Sequence, residues 1–436
     1  MFKRNRRIGG TVLFLGSFCC SMAAGLPLLA LSTLAAITWP AHAEETAQAS
    51  QASPKNTVRP EIGKPVQAAL DLLRQKKGKD ALARLKEADA VKDKTPYEEF
   101  LTEQVRGQSA AAAGDASLAA HAFETVAASS FAPEKEKQQF LAAAAGQYYM
   151  AKDYAKSADT ANRYFKAGGN EKSIHNLQVQ ALYLGNNFAQ AAKELLTDIQ
   201  NDEQAGKTPA EMQLQMLSSA YDKVQDKSGY AHALEKLLTY YPKREYWLTV
   251  IYSVTTRSGF PDRLNLEVGR LKLATGTMRS AGEYVEAAQL ALQAGLPAEA
   301  KRFIDAGYAA GLLGTGPDAE RHKRLKDLAA KNLAADIKTL GQEDAQAAAA
   351  KDGMALFNAG YNYVLHGQLE KGLAMIETGL GKGGFKRTED ARLQLAYAYH
   401  LAGQPQKSIQ ALKKISGADG AAALARLWTI RLGQAG

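Results

Sequence analysis

Residues 142–165 read AAAAGQYYMAKDYAKSADTANRYF, and they show the repeating unit of this chain most clearly. The small pair at 145–146 lies on a first predicted helix, Tyr149 follows as an aromatic residue, and the residues KD at 152–153 mark a turn. Ala158 is then the small residue of a second helix. Small residues let two helices approach closely, so this order predicts a helical hairpin whose remaining apolar face is covered by a neighbouring hairpin.

The same order recurs along the chain, and the small residue of each second helix marks its period. The spacings between successive markers are 38, 39, 34, 41, 67, 72 and 36 residues. The two long gaps are each close to twice one period, so degenerate repeats are predicted near 244–277 and 318–350. The markers are Ala81, Ala119, Ala158, Ala192, Ala233, Ala300, Gly372 and Ser408.

This order of small and aromatic residues resembles the tetratricopeptide repeat. The resemblance predicts an all-α fold, an α-solenoid of about nine or ten helix-turn-helix repeats. The strongest competing signal is YWLTVIYSVTT at 246–256, where β-branched residues alternate as in a strand. It begins soon after Pro242, where a helix of the array should restart, so we predict helix there.

The N-terminus carries the features of an export signal. Basic residues at 3–7 precede an apolar stretch at 8–39, and Ala-His-Ala at 41–43 matches a cleavage site. We therefore expect segment 1–43 to be a signal peptide cleaved after Ala43, or a signal anchor that holds the chain in the inner membrane through residues 8–39. Either form predicts a periplasmic protein.

The rest of the chain divides by composition and repeat. Residues 44–60 are small and polar with two prolines, which predicts a disordered linker. Tetratricopeptide-like repeats are predicted over 61–243 and again over 244–436, the second set including both degenerate repeats.

Several function classes are excluded by residue content. Both cysteines, Cys19 and Cys20, lie in the export segment, so the remaining chain has no thiolate for a disulfide, a metal or catalysis. Its formal charge falls from +9 to +5 without residues 1–43, which is not the charge of a nucleic-acid-binding protein. No histidine stands at a metal-ligand spacing, and phosphate-loop and serine-hydrolase motifs are lacking. We therefore expect no cofactor, no metal and no enzyme activity.

The second half shows a narrower resemblance. The segments YYPKREYWLTVIYSV at 240–254, GLGKGGFKRTEDARLQLAYAYHLAGQPQKSIQALKKI at 379–415 and ALARLWTIRL at 423–432 are similar to periplasmic tetratricopeptide proteins described as components of TonB energy-coupling systems. This resemblance implies an adaptor that binds protein partners in the cell envelope, near a TonB-type inner-membrane complex. It brings no catalytic motif with it.

The predicted binding surface is the wall lined by the first helix of each pair. Tyrosine recurs on this wall, and tyrosine is efficient at protein interfaces. For Tyr361 and Tyr397 the alternative is packing between neighbouring repeats. The candidate partner-binding residues are Gln147, Ser219, Asp222, Tyr361, Tyr397 and His400.

These observations favour a periplasmic scaffold or adaptor that mediates protein–protein interaction. Two alternatives stay open at this level. One is a glycan- or peptidoglycan-associated helical enzyme, which would need an acidic pair in a cleft. The other is the soluble tetratricopeptide module of an exopolysaccharide secretion machine, whose outer-membrane part would be a separate protein.

Overall fold

A computed structural model describes residues 57–434, and over this range the protein is all-α, with 21 α-helices and no strand. A 3-10 turn at Asp262–Leu264 precedes α12. The first ten helices are α1 Pro60–Arg74, α2 Gly78–Asp89, α3 Pro96–Ala113, α4 Ala116–Ala128, α5 Glu134–Met150, α6 Tyr154–Lys166, α7 Lys172–Leu184, α8 Phe188–Gln204, α9 Glu211–Lys223 and α10 Lys227–Tyr240. The others are α11 Arg244–Thr255, α12 Asn265–Ala274, α13 Ala281–Gln293, α14 Pro297–Ala309, α15 Ala319–Thr339, α16 Asp344–Ala349, α17 Met354–Leu365, α18 Leu369–Lys382, α19 Thr388–Leu401, α20 Pro405–Leu412 and α21 Ala421–Gly433.

Taken two by two in chain order, α1 to α20 give ten successive pairs, followed by α21. The pair α15 and α16 is irregular, because α15 packs mainly on α14 and α16 packs on α17. The predicted fold class, an all-α solenoid of about nine or ten repeats, is confirmed. All eight marker residues lie on second helices, at buried positions. The two second helices without a marker are α12 and α16, which belong to the stretches predicted as degenerate.

The marker positions are small because the paired helices touch there. In the α17–α18 pair, a Cβ atom added to Gly372 would lie 2.6 Å from the carbonyl oxygen of Gly360. In the α19–α20 pair, the Ser408 hydroxyl donates a 2.7 Å hydrogen bond to the carbonyl oxygen of Ala396. A larger side chain at either marker would separate the two helices.

The stretch 246–256 is helical, as predicted. It lies in α11 except for its last residue, and the helix begins two residues after Pro242. Its buried side chains recur at helical spacing, so the array buries the β-branched residues on one face of a helix. They are Trp247, Val250, Ile251 and Val254.

The chain forms two compact units, the first ending at Glu194 and the second beginning at Leu195, within α8. The predicted division of the repeats, between residues 243 and 244, lies inside the second unit. The predicted export segment 1–43 and residues 44–56 of the predicted linker lie outside the described residues. Within 57–434, no helix combines the length and the apolar character that crossing a membrane would require.

Unit 1 is tied at its start by an ion pair. The Arg59 side chain donates to both carboxylate oxygens of Glu98, from Nε at 3.0 Å and from Nη2 at 2.8 Å. Glu98 also closes a capping box with Thr95 at the start of α3. The pair therefore joins the entry of α1 to the first turn of α3, across one full repeat.

In unit 2 the last helix packs back on much earlier elements. Gln434, just after α21, donates a 2.6 Å hydrogen bond to the carbonyl oxygen of Leu238 in α10. Arg431 donates to the carbonyl oxygen of Ala274, the last residue of α12, at 3.0 Å. These partners are 196 and 157 residues apart in the sequence. Helix α21 therefore covers a surface that the first repeats of unit 2 would otherwise expose.

Candidate protein-interaction site

Three of the predicted binding residues lie on first helices at or near the surface. Gln147 is half-buried on α5 in unit 1, whereas α9 in unit 2 carries Ser219, which is half-buried, and Asp222, which is exposed. Their proposed contact with a partner stays a prediction.

The other three candidates are brought together inside unit 2. Tyr361 is 2% exposed and Tyr397 is 4% exposed, so both side chains are buried inside unit 2. His400 is half-buried, with its ring centroid 5.9 Å from that of Tyr397 and 5.2 Å from that of Trp428 in α21. The surface predicted here as a wall for a partner is covered by the chain's own helices.

An arginine occupies the space in front of the two tyrosines. The Arg270 guanidinium carbon lies 5.3 Å from the ring centroid of Tyr361 and 5.1 Å from that of Tyr397. These distances are within the range of cation–π attraction, which is strongest where water is excluded. Helix α12 therefore fixes both aromatic residues in the interior through one charged side chain.

The charge of Arg270 is balanced by two buried carboxylates. Glu299 accepts two hydrogen bonds from it, from Nε at 2.7 Å and from Nη2 at 2.6 Å, and Glu267 accepts a third from Nη1. Burial opposes the charge on Arg270, but the attraction of Glu267 and Glu299 outweighs this effect and raises its pKa well above the ordinary value. Arg270 therefore stays charged although its side chain is fully buried.

Glu267 has the less favourable position of the two carboxylates. Burial raises its pKa, and the nearby Arg270 offsets only part of that rise. The Oε2 atom of Glu267 and the hydroxyl oxygen of Tyr361 are buried without a hydrogen-bond partner. Because the charged members of this cluster are at most 5% exposed, they cannot meet a substrate or a partner in this conformation. We assign the cluster to the core of unit 2.

The surface of unit 2 carries a groove between α13 and α15, with a volume of about 210 Å³. Helix α13 contributes Val285 and Gln289, whereas α15 contributes most of the lining. Leu328 is 47% exposed, one of the most exposed large apolar side chains of the described residues. The residues from α15 are Arg321, Arg324, Leu325 and Leu328.

The groove exists because the repeat is irregular at this point. Helix α15 has 21 residues, but only His322 and Ala329 are buried. The His322 ring accepts a 3.2 Å hydrogen bond at Nδ1 from the backbone N–H of Gly314, which holds the start of the helix. The following helix, α16, is only six residues long. One long, mostly exposed helix therefore lies where a regular pair would be packed.

A stripe of basic and apolar residues runs along the groove side of α15. Its members are three or four positions apart, so they share one face of the helix. We call this set the α15 stripe, and all of its members are exposed. Within 57–434, none of its three cations forms an ion pair. The α15 stripe is Arg321, Arg324, Leu328, Lys331 and Ala335.

A second surface depression lies in unit 1, at the turn between α3 and α4. It measures about 470 Å³ and is lined by residues 113–117 together with Met150 and Ala151. Its one charged residue, Asp115, already accepts a hydrogen bond from the backbone N–H of Leu118 at the start of α4. The groove in unit 2 combines apolar surface with unpaired charge, so it is the better candidate for a binding site.

Neither the buried cluster around Arg270 nor the α15 stripe is marked by the repeat pattern in the sequence. Glu267 and Arg270 are three positions apart, a spacing usually seen in exposed helical pairs, and nothing local marks them as buried. Arg321, Arg324 and Leu328 lie in a stretch predicted as a degenerate repeat. There the run RHKRLKDL at 321–328 is the local sign of a basic helix face. Over 57–434 no group of His, Cys, Asp or Glu is arranged to hold a metal ion.

Comparison with known proteins adds little to this description. No protein-family model matches the chain, and no significant match is found among curated proteins. Among solved structures, one similar chain belongs to the "Structure of Naa15/Naa10 bound to HypK-THB". The match has 16% sequence identity and a TM-score of 0.30, and covers 81% of this chain but only 57% of that one. We draw no functional argument from it, and the chain's own helix pairs fit an all-α repeat protein of the tetratricopeptide type.

Proposed function

We propose that this protein is an interaction scaffold that holds a segment of another protein in the groove between α13 and α15. The observation that supports this proposal is Leu328, which is 47% exposed in the wall of a groove. Exposed apolar side chains in a recess with a polar rim are typical of protein-binding sites. The aromatic residues first expected to serve this role, Tyr361 and Tyr397, are buried in unit 2.

The size of the groove favours a peptide segment over a small ligand. Pockets for small molecules usually measure about 300–1,000 Å³ and enclose most of the ligand. This groove, at about 210 Å³, accepts a few side chains and leaves the rest of the bound segment at the surface. A scaffold role also agrees with a repeat architecture, in which helix faces present extended surfaces to partners.

We further propose that the scaffold works in the periplasm. The basic, apolar and Ala-His-Ala segments at 1–43 support export. The resemblance of 240–254, 379–415 and 423–432 to proteins described with TonB systems supports an adaptor near a TonB-type inner-membrane complex. Protease treatment of spheroplasts tests the location: digestion of the protein while a cytoplasmic marker survives is the expected result.

Site-specific photo-crosslinking tests the scaffold role. A photoreactive amino acid at position 328, introduced in the native cells, should give a discrete protein adduct whose partner peptide mass spectrometry can map. The matched control is position 337, because Ile337 is 56% exposed on the same helix but lies on the opposite side, nine residues and about 180° away. Equal adducts from both positions, or none from position 328, would contradict a partner in this groove.

A further inference from the structure

Basic residues predominate along the α15 wall of the groove. On α15, Arg321, Arg324 and Lys331 lie on the stripe, whereas the nearest acidic residues along the helix, Glu320 and Asp327, lie off it. Glu320 is four positions before Arg324 and Asp327 is four positions before Lys331, a spacing at which ion pairs can form, but neither pair is formed in the described part of the chain. The three stripe cations are therefore unpaired, and they outnumber these two acids.

The opposite wall adds no charge. Val285, Gln289 and Leu292 recur on one face of α13, at spacings of four and three residues, and all three are uncharged. The exposed Glu286 is one position after Val285, so it too points about 100° away from that face. The groove thus has one neutral wall and one basic wall.

Many other cations of unit 2 are paired with acids. Lys236 is 2.5 Å from Glu203, and Lys371 is 2.7 Å from Asp344. Unpaired exposed cations are common on single surface helices, but here three of them flank an exposed leucine beside a recess. Charge complementarity of this kind determines which partner binds and how fast, more than how tightly.

The spacing of the charges sets the length of the partner. Arg321 and Lys331 are ten residues apart, which corresponds to about 15 Å along the helix. Leu328 lies between them. A matching segment needs acidic residues on both sides of an aliphatic side chain within about 15 Å, which is roughly ten residues of helix or five of extended chain.

We infer that the groove binds an acidic segment of a partner protein, with Asp or Glu side chains facing Arg321, Arg324 and Lys331 and an aliphatic side chain packed on Leu328. This inference rests on the proposed function, because it names the partner class of the same site. An anionic membrane would attract the same cations, but the recess between α13 and α15 gives side chains of a peptide a place to enter.

A displayed library of random peptides of about 12 residues, long enough to span the stripe, tests the inference. The library is selected on the purified full-length protein and counter-selected on its Leu328→Glu variant, so that only groove-dependent peptides are retained. We expect the retained peptides to carry net negative charge around a Leu, Ile, Val or Met. Melting curves of both proteins check that the exposed substitution leaves the fold intact, and Leu328→Ala replaces Leu328→Glu where it does not.

The affinity of the best peptide, measured by fluorescence anisotropy, then tests the charges. The double variant Arg321→Glu/Arg324→Glu should weaken binding by at least about tenfold. The matched control, Lys323→Glu/Lys326→Glu, reverses the same number of charges on the opposite side of α15 and should change the affinity by less than about twofold.

Each of the other outcomes would contradict one part of this proposal. If the groove-dependent peptides are neutral or basic, or if their affinity is unchanged in Arg321→Glu/Arg324→Glu, the inference of an acidic partner is wrong, whereas the scaffold role is unaffected. A selection that yields no Leu328-dependent peptide overturns both. Co-sedimentation of the protein with phosphatidylglycerol vesicles, lost in Arg321→Glu/Arg324→Glu but not in the lysine control, overturns the peptide partner in favour of a membrane surface.

Discussion

Arg270 and Glu299 are joined by two parallel hydrogen bonds in the interior of unit 2, at 2.7 and 2.6 Å. Their side chains are 0% and 1% exposed. This bidentate geometry fixes the orientation of the guanidinium as well as its position. Since Arg270 belongs to α12 and Glu299 to the first turn of α14, the pair ties an irregular repeat to the regular one that follows it.

Replacing Glu299 by alanine should lower the free energy of unfolding of unit 2 by about 3–5 kcal/mol, because it removes one partner of a buried ion pair. Urea unfolding followed by tryptophan fluorescence measures the loss, since Trp247 and Trp428 are both buried in unit 2. Glu286→Ala, at an exposed site on α13, is the control and should stay within about 0.5 kcal/mol. A loss below about 1 kcal/mol for Glu299→Ala would contradict a structural role for this pair.

Glu267→Gln should have the opposite effect near neutral pH. The pKa of Glu267 is raised in the folded state by burial, so folding favours the protonated form. That favourable contribution is fully present below the unfolded pKa, near 4.5, and is lost as pH rises through the folded pKa. Glutamine does not ionise. The variant should therefore match the wild type in acid and exceed its stability at neutral pH, in unfolding curves recorded from pH 4 upward.

Two glycines of α18 distinguish the effect of close helix packing on stability from the effect of helix propensity. Gly372→Ala should destabilise unit 2 by about 1–3 kcal/mol, because its Cβ would lie 2.6 Å from the backbone of Gly360. Gly381→Ala on the same helix has nothing within 4 Å and should be neutral or stabilise by up to about 1 kcal/mol. Thermal melts of the two variants compare them directly, and equal melting temperatures would argue against the contact.

In unit 1, the stability contributed by Arg59 and Glu98 should depend on pH in the acid range. The hydrogen bond from Arg59 lowers the pKa of Glu98 to about 2 despite the burial of the carboxylate. The contribution is present above the unfolded pKa of about 4.5 and is lost as pH falls through about 2. Arg59→Met should reduce stability only modestly at neutral pH, since Arg59 is partly exposed and water screens its charge.

Urea titrations at several pH values check this expectation. The difference between Arg59→Met and the wild type should shrink steadily below pH 4.5. A difference that stays constant down to pH 2 would show that the arginine acts through packing of its stem and not through the charge of Glu98.

Binding of an acidic peptide to the groove should be sensitive to salt. Raising NaCl from about 0.05 to about 0.5 M shortens the Debye length and should weaken binding several-fold, because Arg321, Arg324 and Lys331 are exposed. Leu328→Ala should weaken binding at every salt concentration and leave the salt dependence unchanged. Anisotropy titrations measure both effects, and an affinity unaffected by salt would contradict a role for the cations.

Local patterns were enough to predict the helix pairs. Residues such as Ala158 and Ala300 are buried where the two helices of one pair meet, and that contact involves residues close in sequence. The spacing of Trp247, Val250, Ile251 and Val254 similarly determines which face of α11 is buried. The number of pairs therefore follows from periodicity alone.

The binding surface could not be predicted in the same way. Tyr361 and Tyr397 stand at positions predicted to be exposed, but Arg270 of α12, several repeats earlier in the chain, lies against both rings. Those contacts join residues far apart in the sequence, so the repeat period could not predict them. The groove residues Arg321 and Leu328 could not be predicted for a related reason, because the repeat pattern is lost at α15.

The packing of α21 against α10 and α12 also affects how unit 2 folds. An open repeat array can fold pair by pair, because each pair needs only its neighbour. In unit 2 the carbonyl oxygens of Leu238 and Ala274 receive their hydrogen bonds from Gln434 and Arg431. Contacts between residues that lie so far apart in the sequence slow folding. The early repeats of unit 2 therefore obtain their full set of contacts only once α21 has packed, so unit 2 should fold more slowly than an open array of the same length.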